Sequence, residues 1–63
     1  MNIRELRKAA GLTQSQLAEK VGVAQATVAE WERGDYFPSA QKLPSIAEAL
    51  DCTVGDLYRT DTL

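Results

Sequence analysis

Gly11, Gly22 and Gly34 each close a segment whose apolar residues recur at helical spacing. A glycine just past a helix end takes the left-handed conformation that lets the last carbonyls bond back to the chain. The starts are marked as regularly as the ends. Thr13 with Gln16 forms an S/T-x-x-E/Q capping box, and Asn2 with Glu5 and Thr53 with Asp56 are variants of it. Ser39, after Pro38, starts a further helix. Only the helix at Gln25 lacks a cap, because Ala24 stands where Ser or Thr would accept from the backbone, an omission costing about 1 kcal/mol. The spacing predicts five helices, over about 2–10, 14–21, 25–33, 40–50 and 54–59. Pro44 either kinks the fourth or shortens it to start near Lys42. No strand-like alternation persists. The expected class is all-α, a compact five-helix bundle forming one domain over residues 1–63.

The apolar stripes name a core: Ile3, Leu6 and Ala10; Leu17, Ala18, Val21 and Val23; Val28 and Trp31; Leu43, Ile46, Ala47 and Leu50; Val54, Leu57 and Tyr58. Leu12 and Cys52 lie between helices as gap fillers. Two charges sit on these stripes. Arg7 falls beside Ile3, Leu6 and Ala10, and Glu32 beside Val28 and Trp31. A charge facing a core needs a partner, since desolvating it alone costs several kcal/mol. The economical arrangement pairs them across helices one and three as a structural salt bridge; the alternative is that both snorkel to solvent.

A chain of 63 residues buries little core, so its stability is tight. With one cysteine and no histidine, neither a disulfide nor a zinc site can staple it, and no metal or other cofactor is expected. No apolar run reaches membrane-spanning length and no signal peptide precedes the first helix, so a reduced cytoplasmic setting is expected. No catalytic constellation stands out: there is no paired nucleophile and base, and no glycine-rich phosphate loop. The net charge of −2 argues against a nucleic-acid partner, but its distribution does not. Residues 1–33 carry +1 and residues 34–63 carry −3, so one face of the first half can still be positive.

Thr13 to Gly34, TQSQLAEKVGVAQATVAEWERG, reads as two short helices meeting at Gly22. Ala18 is small where the helices cross, and Leu17, Val21, Val23, Val28 and Trp31 have the spacing that packs such a pair. This is the pattern of a helix-turn-helix unit. Over nearly its whole length the chain resembles the phage-repressor and Cro-like (Xre-like) helix-turn-helix DNA-binding domains. The resemblance runs through RELRKAAGLTQSQLAEKVGV, VAEWERG and PSAQKLPSIAEALDCTVGDLY.

That resemblance implies a sequence-specific transcriptional regulator, a repressor, acting on double-stranded DNA in a bacterial cell or phage-infected host. The helix after the turn would enter the major groove, which puts Ala24, Gln25, Ala26, Ala29, Glu30 and Arg33 at base-reading positions. Gln25 suits adenine, the alanines suit a thymine methyl, Arg33 suits guanine or phosphate, and Glu30 can accept from cytosine. Phosphate positions fall on Gln14, Gln16, Thr27, Ser39, Gln41 and Lys42. The Arg7–Glu32 pair matches an interhelical salt bridge of the family. A weak homodimer on a two-half-site operator is implied, with Leu57, Tyr58, Arg59 and Leu63 as its contact residues.

Several residues keep plainer readings. Trp31, on the Val28 face, is assigned to the core rather than to base stacking, and Cys52 to gap filling rather than redox sensing. Lys8, Glu19 and Lys20 form a solvated face. Tyr36 and Phe37 are either partly buried or a patch for a partner. A different function on the same fold is a protein-interaction module, antitoxin-like or antirepressor-like, which the overall acidity and Glu30 favour. A third is an isolated domain of a longer regulator.

Overall fold

The computed structural model describes residues 1–58. Among these, five α-helices and no strands are found: α1 (Ile3–Ala9), α2 (Gln14–Val21), α3 (Gln25–Arg33), α4 (Leu43–Ala49) and α5 (Val54–Tyr58). α2 and α3 pack most closely, α4 lies against α2 and α5, and α1 touches α3.

Each helix gives one fully buried side chain to a common centre: Ile3, Leu17, Val28, Ile46 and Leu57. Ala18, Val21, Trp31, Leu43, Ala47 and Leu50 complete the core, and Leu6, Leu12, Val23, Cys52 and Val54 pack against its edge. The Asn2 amide donates to the Leu57 carbonyl at 2.8 Å, so the first helix is held to the last.

The helix ends follow the local signals where those are strong. Thr13 Oγ1 accepts from the Gln16 amide at 3.0 Å, while Gln16 Oε1 accepts from the Thr13 amide at 2.8 Å. Thr53 and Asp56 make the same reciprocal pair at 3.1 Å each way. Ala24 makes no side-chain cap. At the turn between α2 and α3, Gly22 has φ +87°. A Cβ there would meet no atom within 4 Å, so the demand for glycine is conformational rather than steric.

Four expectations need correction. Asn2 forms no side-chain cap, and α1 begins at Ile3. Ala10 is exposed rather than core, because α1 has ended before it. Ser39 does not open α4. Residues 40–42 form a turn in which the Lys42 amide donates to the Ser39 carbonyl at 2.9 Å, and the helix starts at Leu43 with Pro44 in its first turn. Pro44 decides this: it lacks an N–H and is accepted only where no intrahelical bond is needed. Tyr58 is 58% exposed and stands outside the core.

The fourth closure carried no glycine signal. The Cys52 amide bonds to the Ala47 carbonyl at 2.9 Å and the Asp51 amide to Glu48 at 3.2 Å, around Asp51 at φ +56°. This is the same left-handed closure with aspartate in the glycine place, a residue that tolerates the conformation better than most.

Candidate nucleic-acid interface

α3 is two-sided. Val28 and Trp31 are buried against α2 and the core, Ala26, Ala29, Glu30 and Arg33 lie toward the other side, and Gln25, one turn before Val28, flanks them. Of the residues at base-reading positions, Ala24, Gln25, Ala26 and Arg33 are exposed, and Ala29 and Glu30 are half-buried. All six lie on α3 or at its entry, and each keeps part of its surface open to solvent. Thr27 is half-buried on the flank of α3. Ser39 and Gln41 are exposed in the turn before α4, and Lys42, at its N-cap, is half-buried.

Beneath this surface lies a polar chain. Arg7 Nε donates to Glu32 Oε2 at 2.6 Å and its Nη2 to Oε1 at 3.2 Å, a two-pronged pair between α1 and α3. Arg7 Nη1 donates to the Leu12 carbonyl at 2.8 Å. The two side chains are only 11% and 5% exposed. Burial alone pushes the Glu32 carboxyl up. The hydrogen bonds from Arg7 and Gln14 and the charges of Arg7 and Arg4 outweigh it and hold the group below the usual carboxylate range. The Arg7 guanidinium is held above its ordinary value by its bond to Glu32. Gln14 Nε2 donates to Glu32 Oε1 at 3.0 Å, and Gln14 Oε1 accepts from Gln25 Nε2. Gln14 thus joins the salt bridge to the first outward residue of α3.

Gln16, two residues on, uses its amide oxygen for the α2 cap. At the far end of α3, Arg33 Nε donates to Asp35 Oδ2 at 2.8 Å, in a pair more than half exposed on both sides. Tyr36 and Phe37 follow, 63% and 72% exposed. The open choice at these two residues therefore falls to an exposed patch.

One residue of this surface had no role in the sequence reading. Arg4 lines a cleft with Arg7, Gln14, Ala29, Glu32 and Arg33. It stands three residues before Arg7 on α1, one helical turn away, so its position on the Arg7 side was available as a signal. Arg4 adds positive charge to this rim beside Arg33, which Asp35 pairs, although the chain is acidic.

The self-association residues divide. Leu57 is fully buried and offers no surface, Tyr58 is exposed, and Arg59 and Leu63 lie outside the described residues. No group of residues able to hold a metal ion is found among the described residues, and no helix among them is long and apolar enough to cross a membrane. Cys52 is half-buried; its surroundings, then the charges of Asp56 and Asp51, push the thiol up, away from the reactive thiolate.

The helix-turn-helix family model matches residues 3–57. An HTH-type transcriptional regulator of Archaeoglobus fulgidus is 41% identical over 59 residues, 94% of this chain and 84% of that protein. One of Methanothermobacter thermautotrophicus is 52% identical over 48 residues, covering 76% of this chain and 70% of its own length. The immunity repressor protein of Bacillus phage phi105 is 39% identical over 61 residues, 97% of this chain and 42% of the repressor. With α2, the Gly22 turn and the two-sided α3 in the matched order, the chain belongs to the helix-turn-helix family, whose members are DNA-binding transcriptional regulators and not enzymes.

Proposed function

We propose that this chain is a sequence-specific repressor that lays α3 in the major groove of double-stranded DNA, as a weak dimer on a two-half-site operator. The observation that carries this reading is the division of α3. Its inner side is consumed by the core, while its outer side presents an amide, small apolar residues, a carboxylate and a guanidinium over about two turns. Gln25 reads adenine, Ala24 and Ala26 contact thymine methyls, Ala29 lets the helix approach closely, and Glu30 accepts from cytosine. Arg33 reaches guanine or phosphate. Gln14, Gln16, Thr27, Ser39, Gln41 and Lys42 hold the backbone, and Arg4 joins them from the rim of the cleft.

Most of these backbone contacts are uncharged, so few counterions are released and binding depends weakly on salt for a protein of this class. Repression requires only that the occupied operator exclude other proteins, and the similarity to a phage immunity repressor supports it. Selection from a random DNA pool at low salt tests the proposal. An enriched motif with half-sites about 34 Å apart is expected. A pool that yields no motif overturns it.

A second reading is favoured by Tyr36 and Phe37, exposed side by side next to α3, and by the net charge of −2. In it the domain binds a protein. A stoichiometric partner that co-purifies after nuclease treatment, and survives Gln25→Ala with Glu30→Ala, supports that reading over the first.

A further inference from the structure

The chain of side chains from Arg7 to Gln25 has a sense. An ionised carboxylate only accepts hydrogen bonds. Glu32 receives two from Arg7 and a third from Gln14 Nε2. Gln14 must therefore turn its nitrogen to Glu32 and its oxygen to Gln25. Gln25 in turn must offer Nε2, and it does. Each amide orientation is dictated by the one before it, and the sequence of choices begins at a side chain only 5% exposed.

This bears on what Gln25 can read. One of its two N–H groups is committed to Gln14. One N–H and the amide oxygen are left for a base. Adenine presents an acceptor at N7 and a donor at N6 in the major groove, which that pair matches. Guanine presents two acceptors, N7 and O6, and needs two donors. Resting on the DNA-reading role given above, we infer that Glu32 is a positioning residue for specificity. Through Gln14 it sets the amide sense of Gln25 and so selects adenine over guanine.

The Glu32→Gln variant should remove the fixed sense. Arg7 donates to both oxygens of Glu32, and Gln14 shares Oε1 with it. An amide in that place sets an N–H against one Arg7 donor whichever way it turns, so it no longer imposes one orientation on Gln14, and Gln25 is free to turn its amide either way.

The test is selection from a random DNA pool with the intact chain, its E32Q, Q14L and Q25A variants, and thermal melts to confirm that each is folded. The position read by Gln25 is the one whose preference Q25A abolishes. The intact chain is expected to enrich adenine there. E32Q is expected to lower the adenine-over-guanine preference at that position by about tenfold relative to the intact chain, other positions keeping their preferences. Q14L leaves both Arg7–Glu32 bonds in place and is expected to relax the same position to no choice between the purines, which keeps the test decisive where E32Q does not fold. Unchanged adenine preference in Q14L, or in a folded E32Q, overturns the inference while leaving the DNA-reading role standing. A wild-type motif without adenine at that position does the same. A pool from which the intact chain enriches nothing overturns the DNA-reading role and this inference with it.

Discussion

Arg7 and Glu32 meet at 2.6 Å with scarcely any solvent contact, and they join α1 to the helix that carries the outward-facing residues. Removing one partner strands a buried charge. Arg7→Met or Glu32→Leu alone is expected to cost about 3 kcal/mol, and the two together distinctly less than the two single losses combined. Urea denaturation of the four proteins measures the coupling; additive losses would show that the pair acts as two separate surface charges.

The same pair sets an acid limit. Glu32 is held below the ordinary carboxylate range in the folded chain. Its contribution is therefore complete above the unfolded value of about 4.3, and is lost as pH falls through the lower folded value. Stability should fall below about pH 4 in the native chain, and Glu32→Gln should flatten that part of the profile. Thermal melts from pH 7 to pH 2 give the comparison.

Arg33 is occupied by Asp35 across an exposed pair, a contact of little value to stability. Asp35→Asn should leave the melting temperature within about a degree or two of the native chain. It should strengthen DNA binding, because Arg33 is then available to phosphate, and steepen the salt dependence by about one unit of slope. Titrations at several salt concentrations decide it; unaltered slope and affinity would place Arg33 away from the phosphates.

α3 begins without a side-chain cap. Ala24→Ser should stabilise the domain by about 1 kcal/mol and raise the melting temperature by about 4–8 °C. Failure to stabilise would mean that the entry to α3 cannot accommodate the cap.

At Asp51 the left-handed φ of +56° is borne by a residue with a Cβ. Asp51→Gly should be neutral or stabilising by up to about 1 kcal/mol, whereas Gly22→Ala should destabilise by about as much or more. Chemical denaturation of both reads the contrast.

The five helices and the core they share were legible in the chain's own order, because capping boxes, glycine closures and apolar spacing act over a few residues and need no distant partner. Thr13 with Gln16 is such a signal, and so is the succession of Ile3, Leu17, Val28, Ile46 and Leu57 on their stripes. The pairing of Arg7 with Glu32 was also legible, since two charges on apolar stripes require each other. Weak local signals misled where a stronger local constraint overrode them, as Pro44 did at the start of α4. Tertiary structure alone decided the rest. The bond from Gln14 to Glu32 spans 18 residues and that from Gln25 to Gln14 spans 11, and no periodicity records either. Arg4 reached the rim of the cleft only when α1 packed on α3. Amphipathic spacing specifies which side of a helix faces inward. Which polar groups then meet, and which way round each amide must turn, depends on distances that exist only after the helices have packed.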